Sequence, residues 1–323
     1  MSPIEMTRKR AVFIISILSL CLAVPSGMFA ADENSTLRLA LLPIPDVLPV
    51  YVAAEKGYFA ELGITVEALS VGSAVERDQL LQAGRVDGLI NEIAGAANFN
   101  REKNRVKIVS VARSPLGNSP LFRLLAAPGS NLKTVADLAG IPIGISKNTI
   151  IEYITTRLLE AGGVSGQAIA YQSVPVLPER LQLLMSGQVK AVTLPDPLGV
   201  SAIKGGAVEI VNDTALKSVS ASVVTFTTDV LVKKQDTVKK FMVAWDRACG
   251  DLNSDPAAFQ ALMLKKIRVP KNIENDFHVP PLPRKQVPTK AQWDDVMAWM
   301  LERNLLTVPL AYEGSVTSEF LAK

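Results

Sequence analysis

Glu76-Arg-Asp-Gln-Leu-Leu-Gln-Ala-Gly-Arg-Val-Asp-Gly88 and Glu179-Arg-Leu-Gln-Leu-Leu-Met-Ser-Gly-Gln-Val-Lys-Ala191 agree at seven of thirteen positions without a gap, 103 residues apart. Each copy reads as a helix with its apolar residues on one face, then a glycine that closes the helix, then a buried strand. A period of about 100 residues is domain-sized, well above the 20–50 residues of stacked solenoid repeats. The duplication predicts two lobes built on one plan, with the functional site between them.

The termini and composition narrow the function. Arg8-Lys9-Arg10, the apolar run Ala11 to Val24, the breaker Pro25-Ser26-Gly27 and then Met28-Phe29-Ala30 have the order of a secretory signal, with cleavage expected after Ala30. Leu18-Ser-Leu-Cys21 offers a competing lipid-anchor reading, but Leu20 sits where Gly or Ala is normally required. The whole-chain charge of +3 falls to +1 once the three bases and one acid of residues 1–30 are removed. No basic stripe remains to hold nucleic acid. Cys249 is the one cysteine left in the mature chain, which rules out an intrachain disulfide and cysteine-rich metal sites. It is expected to be a small buried hydrophobe. The expected product is exported and soluble, with enough chain for two cores.

Strands and helices alternate along the chain: strand Leu37 to Leu42, a helix with Asp46 as N-cap and Pro49 in its first turn, strand Ile64 to Leu69, the first repeat helix, strand Val86 to Ile90, a further helix, and strand Val106 to Ala112. The order recurs from Ile141 to Val211. Such alternation predicts parallel strands with right-handed crossovers. Leu121 to Ala127 and Val223 to Val232 are read as connections between the lobes. The helices after Asp236 are expected to pack on the first lobe, and His278-Val-Pro-Pro-Leu-Pro283 to form a rigid surface strap.

Pro45-Asp-Val-Leu-Pro-Val-Tyr-Val-Ala-Ala-Glu-Lys-Gly-Tyr-Phe59 and Leu62-Gly-Ile-Thr-Val66 resemble the opening of periplasmic solute-binding proteins of the nitrate/sulfonate/taurine and thiamine-pyrimidine-precursor group. Gly84-Arg-Val-Asp87, Leu132-Lys-Thr-Val-Ala-Asp-Leu-Ala-Gly140 and Gly187-Gln-Val-Lys-Ala191 continue the resemblance in order. It implies an α/β protein of the type II periplasmic-binding-protein fold, with two lobes joined by a two-crossing hinge. The expected division is a signal peptide at 1–30, a discontinuous first lobe at 31–124 and 226–323, and a second lobe at 125–225. It also implies that a small solute is captured between the lobes and passed to an ABC permease and ATPase complex. The protein would be periplasmic, act as a monomer, and need no cofactor or metal.

In open α/β sheets, ligands sit beyond the carboxyl ends of the strands. That rule nominates Asp46, Tyr51, Gly72, Ser73, Asn91, Glu92 and Ser114 on the first lobe. On the second it nominates Ser146, Asn148, Thr149 and Asp196. Gly72–Ser73 and Ser146–Thr149 open helices, so their backbone N–H groups are expected to be free for an anionic or carbonyl group. The repeat register places Glu92 and Asp196 at equivalent strand ends. Arg113 and Lys147 are read as candidate cleft residues or surface charges. Carboxylates at Asp46, Glu92 and Asp196 would repel a bare oxyanion at low dielectric, and so predict a nitrogen-containing organic solute of zwitterionic or heterocyclic type. A sulfonate or nitrate is the alternative. A relative of the group is a pyrimidine-forming enzyme with a cysteine-rich iron motif and an active-site histidine. Here the single histidine, His278, lies in the strap and Cys249 stands alone, so catalysis is not expected. A ligand-occupancy sensor working with a separate membrane partner is the remaining reading.

Overall fold

The computed structural model describes residues 33–216, 219 and 221–323. The expected signal segment and the cysteine of the alternative lipid anchor, Cys21, lie outside them. The chain runs β1 (Thr36–Leu41), α1 (Leu48–Glu55), α2 (Tyr58–Glu61), β2 (Thr65–Ser70), α3 (Ala74–Gln82), β3 (Gly88–Glu92), α4 (Ile93–Phe99) and β4 (Val106–Arg113). It then crosses to β5 (Phe122–Ala126), β6 (Pro142–Ile145), α5 (Ile150–Ala161), β7 (Ala170–Ser173), α6 (Leu177–Met185), β8 (Ala191–Pro195), α7 (Leu198–Lys204) and β9 (Val208–Asn212). The return is β10 (Ser222–Thr227), α8 (Thr228–Lys233), α9 (Gln235–Ser254), α10 (Gln260–Lys266), α11 (Lys290–Glu302) and α12 (Tyr312–Ser315).

Two five-stranded sheets result, ordered β2-β1-β3-β10-β4 and β7-β6-β8-β5-β9. The duplication read from thirteen residues extends to whole elements: α3 and α6, and β3 and β8, have bounds that differ by the same 103 residues. Each repeat helix closes on a left-handed glycine, Gly84 at φ 65° and Gly187 at φ 74°. In each sheet the first three strands are parallel and the fourth, β10 or β5, is antiparallel to its neighbours.

That fourth strand corrects one expectation. Leu121–Ala127 and the first part of Val223–Val232 are not connections: β5 is inserted between β8 and β9, and β10 between β3 and β4. Phe-Arg-Leu-Leu-Ala and Ser-Val-Val-Thr-Phe-Thr are buried along nearly their whole length, as strands covered on both faces are. Segment 114–121 makes the first crossing, and the described residues 213–216, 219 and 221 lie between β9 and β10, so the anticipated lobe limits at 124/125 and 225/226 fall inside strands.

The core follows the layers. One apolar cluster packs α1, α9 and α10 on the first sheet, with Phe241 stacked on Phe59 and edge-on to Phe226. Helix α9 buries Val238, Phe241, Met242, Trp245, Ala248, Cys249 and Leu252, the spacing of one helical face. A small cluster under α6 and α7 backs the second sheet. The third joins the lobes, running from Leu89, Ile93 and Ala97 through Tyr153 and Ile154 to Trp293, Met297 and Trp299 of α11. The C-terminal segment therefore packs on more than the first lobe. The strap beyond His278 lies along the β4 edge, where the Gln286 carbonyl accepts from Val111 N–H and from the Ser110 hydroxyl.

Candidate functional site

At the strand ends of the first lobe, the charged candidates are already matched to one another. Asp46 is buried and faces the buried Arg113 (Oδ1 to Nη1 3.4 Å), whose Nη2 donates to the Pro120 carbonyl on the first crossing (2.8 Å). Asp46 is thus not the N-cap of α1, a position held by Val47. Instead it ties the β1 loop, through Arg113, to the first crossing. Glu92 meets Arg77 of α3 (3.5 Å), and the same guanidinium reaches Asp78 (2.8 Å) and the Ile90 carbonyl (3.0 Å). Burial disfavours the Arg77 charge, but Glu92 and Asp78 outweigh it and raise its pKa.

The N-terminus of α3 is partly capped from within. Ser73 is its N-cap, accepting from Glu76 N–H (3.1 Å), while the Glu76 carboxylate takes the Gly72 N–H (2.7 Å). A glutamate in the first turn fits the helix dipole and takes one of the N–H donors that a solute was expected to use, that of Gly72. Asn91 is buried beneath α4, its Oδ1 accepting from the Thr225 hydroxyl (2.6 Å). Tyr51 lies half-buried in α1 with the Lys266 ammonium 4.8 Å from its ring centroid, and burial raises its pKa. Ser114 is half-buried at the start of the first crossing.

The second lobe repeats the plan with different chemistry. Arg180 stands 103 residues after Arg77 and makes the equivalent bond, Nη1 to the Thr193 carbonyl (2.8 Å). Its Nε donates to the Val174 carbonyl (2.8 Å), and its Nη2 donates to the Ser146 hydroxyl. The positions matching Asp78 and Glu92 are Leu181 and Pro195, and among the described residues no carboxylate pairs with this fully buried guanidinium. Burial pushes its pKa down to about 10, leaving it charged at neutral pH. Thr149 caps α5, accepting from Ile151 N–H (3.1 Å) and donating to the Ser146 carbonyl (2.7 Å). Asn148 adopts a left-handed backbone (φ 61°), and its N–H is held by Glu152 (2.6 Å), which pairs in turn with Arg303. This helix terminus, like that of α3, is internally capped. Lys147 is exposed.

Asp196 is buried and gripped by Arg123 through two bonds (2.8 and 2.9 Å), and Arg123 also pairs with Glu209. Burial opposes the Arg123 charge, but the two acids raise its pKa. Glu92 and Asp196 therefore each engage an arginine of their own lobe. Sequence reading missed Arg77, Arg123 and Arg180. The signal for two of them lay in the repeat itself, where Glu-Arg is common to both copies.

Among the described residues, polar contacts join the lobes at a rim and at the back. At one rim, the Ser201 hydroxyl on α7 donates to Asn272 Oδ1 (2.9 Å), Asn272 Nδ2 donates to the Ser201 carbonyl (3.2 Å), and Lys204 pairs with Asp276 (2.9 Å). At the back, Asp295 of α11 bonds Tyr153 and Arg157 of α5. There an enclosed void of about 10 Å³ is lined by Ile93, Ala94, Ile150, Tyr153, Val219, Ala221 and Val296. Among the described residues no cluster of three or more His, Cys, Asp and Glu could hold a metal, and no helix is long and apolar enough to cross a membrane.

The NMT1/THI5-like family model matches residues 44–259, and the chain belongs to that family. A Haemophilus influenzae protein named for thiamine biosynthesis is 26% identical over 176 residues, 54% of this chain, which spans 53% of that relative's length. A Brachyspira hyodysenteriae protein named as an ABC-transporter periplasmic binding protein is 20% identical over 259 residues, covering 76% of this chain and 73% of its own. Among solved structures, the alkanesulfonate-binding protein SsuA of Xanthomonas axonopodis pv. citri, bound to MOPS, superposes with a TM-score of 0.72 at 17% identity. That match covers 88% of this chain and 99% of SsuA. The two-lobed periplasmic-binding-protein fold expected from the sequence is thereby established.

Proposed function

We propose that this protein is the extracytoplasmic solute-binding component of an ABC importer, capturing a small polar organic solute between its lobes and presenting it to a permease and ATPase complex. The observation that carries the reading is the pair of duplicated lobes, whose strand ends bear polar loops and whose rims meet through a few hydrogen bonds. Such a rim opens and closes at low cost, as hinge capture requires. Family membership and the Brachyspira relative support the same role.

The solute is dipolar. On the first lobe, Arg77 and Arg113 face three carboxylates, Asp46, Asp78 and Glu92, an excess that favours an N–H-bearing end. On the second, Arg180 has no carboxylate partner among the described residues, and its charge behind the Ser146 loop favours an acceptor or anionic end. Ser73, Ser114, Ser146 and Thr149 are the contacts this reading favours. Asp46, Glu92 and Asp196 act mainly by setting the potential behind them. The protein works as an exported monomer and performs no catalysis. Native mass spectrometry of the purified protein, then denaturing release, tests the proposal. A released zwitterion or nitrogen heterocycle supports it. Tight calorimetric binding of nitrate or a plain alkanesulfonate instead would overturn the dipolar solute, and turnover of the released molecule would overturn the binding role.

A further inference from the structure

Ser222 opens β10 at the point where the chain re-enters the first lobe. Its register partners are Glu92 at the end of β3 and Arg113 at the end of β4, so it lies on the strand-end floor of that lobe. The residue is 5% exposed, and among the described residues its hydroxyl meets no hydrogen-bond partner. Every charged neighbour on that floor is spoken for: Arg113 holds Asp46, and Glu92 holds Arg77. The void beside Ala221 offers no remedy, because at about 10 Å³ with an apolar lining it gives a bridging water no polar seat. A buried hydroxyl without a partner is an incomplete site, since the group has left water and received nothing in exchange.

We infer that the Ser222 hydroxyl is a solute-contacting group, completed by a neutral hydrogen-bonding heteroatom of the solute: a carbonyl, hydroxyl, ether or ring nitrogen. The inference rests on the binding-protein reading above. The charge-matched floor around Ser222 disfavours a net charge at this point, so the contact belongs to the uncharged middle of a dipolar molecule. The second lobe sharpens the assignment. Phe122 of β5 pairs with Pro195, the position 103 residues after Glu92, and so occupies the place equivalent to Ser222. One floor carries a hydroxyl and the other a phenyl ring. A solute with one polar edge and one apolar face matches both.

The test compares wild type, Ser222→Ala and a control, Ser130→Ala, which removes an equally unpartnered buried hydroxyl away from the strand-end floors. Calorimetry is run with MOPS, ethanesulfonate, nitrate and a hydroxymethylpyrimidine, together with any molecule released from wild type. Thermal unfolding of the ligand-free proteins is measured in parallel. Ser222→Ala is expected to weaken binding of the best probe about 3–10-fold, the loss of one neutral hydrogen bond. Its ligand-free melting temperature should stay level or rise, because an unpaired hydroxyl is deleted. Ser130→Ala should leave binding unchanged. Unchanged affinity in Ser222→Ala overturns the assignment, as does a melting temperature lowered in Ser222→Ala alone, which would mark a structural partner. A wild type that binds none of the probes overturns the binding-protein reading, and this assignment falls with it.

Discussion

The rim between α7 and the Asn272 turn predicts how a residue remote from the strand ends sets affinity. Asn272→Ala removes two hydrogen bonds to Ser201, at 2.9 and 3.2 Å, and leaves the strand-end loops intact. Each part-buried bond contributes about 0.5–1.5 kcal/mol, so the closed form loses about 1–3 kcal/mol relative to the open one. The neighbouring Lys204–Asp276 pair is 58% and 49% exposed and contributes within about 1 kcal/mol. If the rim bonds form only on closure, the whole loss falls on the closed complex. The dissociation constant of the released solute then rises about 5- to 150-fold, mostly through a faster off-rate. Isothermal calorimetry and stopped-flow dissociation measure both quantities. Lys204→Ala should give a smaller effect that fades as salt is raised. An Asn272→Ala protein with dissociation constant and off-rate within twofold of wild type would refute the clasp.

Arg303→Met should destabilise the protein by about 3 kcal/mol in urea unfolding, because it strands the fully buried Glu152 carboxylate, and adding Glu152→Gln should recover part of the loss. Gly88→Ala should cost roughly 1–3 kcal/mol, since a Cβ there would lie 2.6 Å from Phe226 Cδ1 and 2.7 Å from the Thr225 carbonyl oxygen; an unchanged urea midpoint would contradict that packing. Burial, with Asp246 nearby, pushes the Cys249 thiol well above its ordinary pKa, so the native protein should not react with Ellman's reagent at pH 8 until it is unfolded.

The repeat at Glu76 and Glu179, with its glycine stops, was legible because it is local: helix, cap and strand follow one another between residues 74 and 92 and again between 177 and 195. β5 and β10 were misread because period and composition identify an apolar strand but not the sheet that receives it, and both enter a sheet from the far side of a crossing. Ser73 and Thr149 cap α3 and α5, a role that follows from residue type. The carboxylates that take an N–H at each of these helix termini were not foreseen. Glu76 and Glu152 each lie four residues beyond the N–H they hold, and only three-dimensional geometry shows the side chain turning back. The partners of Asp46, Glu92 and Asp196 are arginines 67, 15 and 73 residues away, distances at which one sequence carries no pairing signal.

The late arrival of β10 makes the lobes unequal during synthesis. Every strand of the second sheet comes from residues 122–212, so that lobe is complete in one continuous stretch. The first sheet keeps an open slot between β3 and β4 until residues 222–227 arrive, and α9, which covers its apolar face, follows later still. A chain emerging from its N-terminus therefore carries an unfinished first lobe for more than 100 residues, and the first lobe closes only after the second has had the chance to form. A fragment ending before residue 222 should hold a folded second lobe beside an exposed, adhesive half-sheet. That is the state in which a holding chaperone would bind it, and in which an export channel would still accept the unfinished portion.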